Sequence, residues 1–194
     1  MSMLVLISPS SGGKDTILNK LIERKYVQPI ISTTSRPMRR GETQGKEYNF
    51  VSKEKALNML NNNEFIENRQ YKVADGDIWI YGVTKDSFDI DSNNTYGCIL
   101  DFNGYIQMKQ HYYNNKKSDL ISVYIDVPLQ ERLKRSISRE GEMSDIQCLE
   151  VCRRALDDDK NVVIAKEYVD YVISNNDGNV ENAINRIIHI LEEN

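Results

Sequence analysis

The sequence contains only two histidines and three cysteines, with four prolines and a single tryptophan. Neither His111 nor His189 is adjacent to Cys98, Cys148 or Cys152, and no zinc site can be assembled by spacing. Three cysteines make no disulfide framework and suit a reducing compartment. All three read as small, reduced apolar residues, with Cys148 and Cys152 on one face of a helix. Positive charge is not in excess. There are 25 Lys+Arg against 29 Asp+Glu, a formal charge of −4, which excludes general binding to a nucleic-acid polymer. No apolar run approaches the roughly 20 residues of a membrane span. The opening MSMLVLISPSSGG lacks the basic segment and the apolar length of a secretory leader. No repeat and no low-complexity linker interrupts the chain. The expectation is a cytoplasmic globular protein, monomer or homodimer, with small-molecule partners.

What is present is ordinary globular composition over 194 residues, 40% hydrophobic and 28% charged, enough for one domain with a sizeable core. MLVLIS is a continuous apolar run, as in a strand buried on both faces. A glycine-containing loop follows, then TILNKLIER, where Ile17, Leu18, Leu21 and Ile22 recur at helical spacing. Further strands are expected at 30–32, 97–102, 120–126 and 168–174. Helices are expected at about 103–113, 129–140, 146–166 and 180–193. Buried strands alternating with helices predict an α/β fold, a three-layer arrangement with a parallel sheet covered on both faces.

Residues 34–85 read differently. They are polar, with Arg36, Arg39 and Arg40, then EYNFV, a helix signal at Ser52, EFIENRQY and IWIYGV. This predicts a small mixed α/β lobe at about 34–84, inserted into a core of 1–33 and 85–194.

Ser8-Pro9-Ser10-Ser11-Gly12-Gly13-Lys14-Asp15-Thr16 stands between the first strand and the first helix. That is the setting of a phosphate-binding loop. Glycines let backbone N–H groups turn inward as an anion nest, and the helix N-terminus adds partial positive charge. Lys14 supplies a point charge for terminal phosphates. The general pattern has Gly at position 8 and Ser or Thr at position 15. Here Ser8 and Asp15 stand there, and Thr16 is the candidate for the missing hydroxyl.

In Ser32-Thr33-Thr34-Ser35-Arg36-Pro37-Met38-Arg39-Arg40-Gly41-Glu42, followed by Tyr48-Asn49-Phe50-Val51, Arg36 and Arg39 with a tyrosine beyond form a candidate phosphate clamp. This segment and the loop together resemble the guanylate kinase family, ATP-dependent kinases of GMP. The resemblance extends over nearly the whole chain. It continues through Glu64-Phe65-Ile66-Glu67, Tyr81-Gly82-Val83, Asp101-Phe102-Asn103, an arginine-bearing stretch at 135–143 and Ser174-Asn175-Asn176-Asp177.

The resemblance implies a parallel-sheet core with a phosphate-binding loop, an inserted nucleoside-monophosphate lobe and a short helical lid at about 135–150. ATP would lie on Ser10, Ser11, Gly12, Gly13, Lys14, Asp15 and Thr16, with Asn175 near its adenine. Magnesium, the implied cofactor, would sit near Thr16, Asp15 and Asp101, and Asp101 would also help place the bound GMP. Arg36, Arg39, Tyr48 and Tyr81 would hold the phosphate of GMP or dGMP, and Glu42 would belong to the same GMP-binding set. Ser32 and Glu67 would read guanine, the Glu67 carboxylate accepting from the ring N–H and the amino group. Lys14 and the lid residues Arg132, Arg135 and Arg139 would act on the transferring phosphoryl group. Arg153 or Arg154 would join them, and the spacing leaves that choice open.

Two departures fall in the implied guanine pocket. Val83 replaces a family Ser or Thr, and Asn103 replaces a family Asp. Asp15 after the loop lysine, and Asn-Gly after a core strand, also resemble a related kinase of ribose bisphosphate. The alternatives are therefore a kinase of another small phosphate acceptor, or a catalytically inactive interaction module of the same fold. Retained Gly13, Lys14, Arg36, Arg39 and Glu67 weigh against the inactive module. Asp157, Asp158 and Asp159 read as a solvated helix face.

Overall fold

Strand β1 (Ser2–Ile7) is apolar at every position after Ser2, and all of those positions are buried. A strand apolar on both faces belongs in the middle of a covered sheet. In the computed structural model it forms the centre of a five-stranded sheet. The strand order there is β2 (Gln28–Pro29), β7 (Thr95–Leu100), β1, β8 (Leu120–Asp126) and β9 (Tyr171–Ser174), and every pairing is parallel. The structure describes residues 2–39, 41–72, 76–87, 93–114, 120–159, 162–176 and 179–193, without the side chains of Glu140 and Asp159. Arg40 and Asp177 therefore lie outside the described residues, as does the side chain of Asp159.

Alternate side chains of β1 enter different layers, as strand geometry requires. Met3, Val5 and Ile7 pack with Tyr105, Met108 and Tyr112 of α3 (Phe102–Asn114). Leu4 and Leu6 pack with Ile17 and Leu21 of α1 (Lys14–Glu23), and with Ala183, Ile184 and Ile187 of α7 (Val180–Glu193). Each fully buried Leu or Ile contributes about 1.5–3 kcal/mol of transfer free energy. The three-layer expectation is met.

A second sheet has the order β4 (Asn49–Phe50), β3 (Thr33–Thr34), β6 (Ile78–Thr84) and β5 (Phe65–Lys72); β4 and β3 pair in parallel, whereas β6 is antiparallel to both β3 and β5. Helix α2 (Lys53–Asn61) begins where Ser52 caps it, its side chain accepting from Lys55 N at 3.1 Å.

Three sequence expectations are corrected. Residues 30–32 are not a strand but the crossing between the sheets. Ile30 N still donates to Gly97 O of the core, whereas Ser32 O accepts from Asn49 N of the second sheet. The helix expected at 146–166 is two helices, α5 (Asp145–Asp159) and α6 (Val162–Tyr168). Tyr168 accordingly ends a helix, and β9 starts only at Tyr171. Helix α4 (Leu129–Glu140) begins after Pro128, whose fixed φ suits a helix start. Among the described residues no helix is long and apolar enough to cross a membrane.

Candidate active site

The phosphate loop leaves β1 at Ser8 and enters α1 at Lys14. Ser11 (φ 60°) and Gly13 (φ 91°) both take left-handed conformations, the geometry that turns successive N–H groups toward one point. A side chain at Gly12 would place its Cβ 1.7 Å from Ser8 Oγ. Ser8, standing where the general pattern has glycine, fills the space that Gly12 leaves. The Lys14 side chain is mostly buried, and its Nζ lies 3.9 Å from Asp15 Oδ2. Asp15 and Thr16 are exposed in the first turn of α1.

Residues distant in sequence close around this loop. Ser11 Oγ and Ser136 Oγ of α4 share a hydrogen bond at 2.7 Å. Ser10 N donates to Asp158 Oδ2 of α5 at 2.7 Å. Arg132 is buried, with its Nη1 3.9 Å from the same carboxylate and its Nε donating to Val127 O. Arg135 Nη2 donates to Asn175 O at 2.8 Å, and Asn175 Nδ2 donates to Gly12 O at 3.0 Å. Asn175 Oδ1 is buried without a hydrogen-bond donor. Lys14, Arg135 and Asn175 thus meet at the loop. Asp158 is a loop contact rather than part of a solvated face.

A cleft of about 320 Å³ opens beside Ser10 between α4 and α5, and Arg132, Arg139 and Arg154 all line it. Arg154 reaches it while its Nε donates to Glu150 Oε1 at 2.8 Å. Arg153 is instead engaged along its own helix by Glu150 and Asp157. Those guanidinium bonds, Arg153 first, push the Glu150 carboxyl down to about 2. Cys98 is buried as expected, whereas Cys148 and Cys152 are exposed on α5.

In the second sheet, Arg36 is buried and Glu42 organises the arginine segment. Glu42 Oε1 accepts from Arg36 Nη2 and Oε2 accepts from Arg39 N, both at 2.7 Å. The Arg36 bond holds the Glu42 carboxyl below the usual range and raises the guanidinium. Arg36 lies 5.6 Å from the centre of the Tyr48 ring, which meets the Tyr81 ring edge-on at 5.7 Å. Arg39 is exposed and Ser32 is half-buried. Clamp candidates Arg36, Glu42, Tyr48 and Tyr81 therefore form one cluster.

Glu67 is fully buried on β5, and its Oε1 accepts from Val83 N at 3.0 Å. Burial pushes its carboxyl up, against the opposing charge of Arg69. Asp101 ends the link from β7 and caps α3, its Oδ1 accepting from Gly104 N and its Oδ2 from Tyr71 OH, both at 2.8 Å. A Cβ at Gly104 would lie 2.8 Å from Glu67 Oε2, so glycine is what lets α3 approach the carboxylate. Asn103, exposed, lines a second cleft of about 320 Å³ with Ser8, Tyr71 and Asp158.

Sequence reading missed Arg69, Tyr71, Ser136 and Asp158. Glu67, Arg69 and Tyr71 stand at alternate positions of a strand and so share a face, a signal that was available. Nothing local marks Ser136 or Asp158, which act only through a loop more than a hundred residues away.

Among the described residues no group of three His, Cys, Asp or Glu side chains could hold a metal by itself. Both Asp101 oxygens are already engaged. The oxygen donors present, Asp15 and Thr16 beside a phosphate loop, fit magnesium that arrives with phosphate and keeps most of its waters.

A family model described as guanylate kinase matches residues 1–194. The chain is 33% identical over 181 residues to the guanylate kinase of Blochmanniella floridana, covering 91% of this chain and 80% of that one. It is 31% identical over 193 residues to the guanylate kinase of Anaplasma phagocytophilum, covering 97% and 85%. A crystal structure of guanylate kinase from Anaplasma phagocytophilum superposes with a TM-score of 0.69 at 26% identity, covering 99% of this chain and 85% of that one. With the whole chain matched and the phosphate loop, arginine cluster and buried Glu67 in place, the protein belongs to the guanylate kinase family.

Proposed function

We propose that the protein transfers the γ-phosphoryl group of ATP to the phosphate of GMP, and of dGMP, giving ADP and the diphosphate. The observation that carries this reading is the buried Glu67 carboxylate, whose Oε2 lacks a hydrogen-bond donor. Guanine presents a ring N–H and an amino group side by side, the donors such a carboxylate needs. Adenine presents an acceptor at the first position, which would leave the carboxylate unpaired at a steep cost.

ATP lies on the loop from Ser10 to Thr16, with Lys14 on its terminal phosphates and Asn175 beside its adenine. Arg36, Arg39, Tyr48 and Tyr81 hold the acceptor phosphate, and Ser32, Val83, Asp101 and Asn103 line the nucleoside. Asp15 and Thr16 would hold magnesium, with Asp101 helping to place it, and the ion would neutralise charge on the donor phosphates. The two substrates are both anionic, so Lys14 and the arginines must offset their repulsion before they can meet. The attacking phosphate oxygen is already ionised, so no side-chain base is needed. Arg132, Arg135, Arg139 and Arg154 stabilise the charge spread over the transferring group, and catalysis comes from positioning and electrostatics. The lobe at 34–84 and the lid at 135–150 close on the core to exclude water and prevent wasteful ATP hydrolysis. Such an enzyme works in the cytoplasm, with nucleotides as its partners.

The test is ATP consumption, with magnesium, against GMP, dGMP, AMP, CMP, UMP and ribose bisphosphate. Turnover with GMP and dGMP alone is expected; turnover with another acceptor and none with GMP would overturn the substrate assignment.

A further inference from the structure

Arg69 sits on the same face of β5 as Glu67. Its Nη2 donates to Glu67 Oε1 at 3.3 Å, and its Nε lies 3.1 Å from Oε2. That second contact is an ion pair angled away from a hydrogen bond, so Nε and Oε2 both remain without hydrogen-bond partners. The guanidinium is itself mostly buried, with a side-chain exposure of 16%. Its place is built rather than incidental. Gln107 of α3 clamps the intervening residue, accepting from Asn68 N at 3.1 Å and donating to Asn68 O at 3.0 Å. Orphaned buried polar atoms are costly, and here a donor and an acceptor are orphaned side by side.

A guanine edge is a run of donors followed by an acceptor. The amino group and N1–H need an acceptor, and O6 next to them needs a donor. Glu67 serves the first part. The position implied for a pocket hydroxyl is Val83, which has no donor in its side chain. Arginine is well suited to the carbonyl edge of guanine because its several N–H groups lie in one plane, and one can pair with a carboxylate while another reaches the base.

We propose that Arg69 is a specificity-determining residue of the acceptor site, donating to O6 of guanine in place of the hydroxyl that Val83 lacks, beside Glu67. The inference rests on the GMP reading above. The charge of Arg69 also works against the burial of Glu67 and keeps its carboxylate available as an acceptor. This accounts for an arginine in the interior of the lobe that the phosphate clamp does not use.

The test compares wild type, Arg69→Met, Val83→Thr and the double variant with GMP and with 6-thio-GMP, whose sulfur at position 6 is a weaker and larger acceptor. Wild type should prefer GMP. Arg69→Met should lower kcat/KM for GMP about 10- to 100-fold, the cost of an unmet polar group at a reading site, and should bring the ratio of the two acceptors toward one. Val83→Thr in the Arg69→Met background should recover part of the lost preference. ATP binding and the melting temperature serve as checks on folding. If Arg69 is only a structural ion pair, Arg69→Met lowers both acceptors equally and leaves their ratio unchanged, and the proposal is wrong. If wild type does not turn over GMP at all, the acceptor reading itself falls, and the ratio of the two acceptors is never reached.

Discussion

The carboxylate of Asp158, near the end of α5, accepts a hydrogen bond from the backbone N–H of Ser10 at 2.7 Å. A negative charge thus occupies a donor of the loop proposed to receive phosphate. It also lies 3.9 Å from Arg132 Nη1, so one side chain joins loop, α4 and α5. Because it would compete with ATP for the same donor on the proposed loop, Asp158→Asn is expected to tighten ATP binding several-fold, with the largest effect at low salt. Calorimetric titration checks this; weaker binding in the variant would show that the aspartate supports the loop rather than competing for it.

In the proposed acceptor site, the raised Glu67 carboxyl implies a pH dependence of definite sign. Burial raises its pKa, so protonation sets in above the ordinary carboxylate range. The protonated acid cannot accept from both guanine donors, and KM for GMP should rise as pH falls through that raised pKa. The apo protein should behave oppositely. Its native state binds the proton more tightly than the unfolded chain, so stability falls as pH rises from the usual carboxylate pKa to the raised one. Glu67→Gln should flatten both profiles while weakening GMP at neutral pH. Steady-state kinetics and thermal melts across pH 4.5 to 8 check the pair.

Glu42 is expected to matter through the arginines it holds. It holds the Arg36 guanidinium and the Arg39 backbone at once. Glu42→Ala should raise KM for GMP by about tenfold, because the clamp arginines lose the charge-assisted bonds of their common anchor. KM for ATP should stay within about twofold of wild type, the scatter of a surface change away from a site. An equal rise in both would mean the cluster supports the whole fold instead.

Gly13→Ala should fail at the loop. Its φ of 91° disfavours any side chain, and the added Cβ would meet Asn175 Nδ2 at 2.6 Å. The backbone term alone costs about 1–2 kcal/mol, and displacing Asn175 also breaks its bond to Gly12 O. Loss of ATP binding with a melting temperature lowered by only a few degrees is the expected result.

Continuous apolar strands, helices of regular spacing and the glycine loop were legible because each is a local pattern. β1, α1 and α7 fall where their residues place them. The crossing at 30–32 was not legible, since Ile30 and Ser32 are as strand-like as their neighbours and only pairing with Gly97 and Asn49 separates the two sheets. Arg36, Tyr48, Glu67 and Tyr81 could be named from motifs. Their bonding could not, because Glu42 serves Arg36 only once the segment turns back on itself. Arg69 carried a signal in its alternation with Glu67, but the approach of Gly104 that encloses the pair comes from an element far along the chain.

The decisive measurement is phosphorus NMR of ATP, GMP and magnesium with the wild-type protein and with Lys14→Ala. Wild type should release ADP and GDP in equal amounts and no free phosphate, and the folded Lys14→Ala variant should release neither. ADP with inorganic phosphate in place of GDP, or GDP formed at an undiminished rate by Lys14→Ala, would contradict phosphoryl transfer to GMP on this loop.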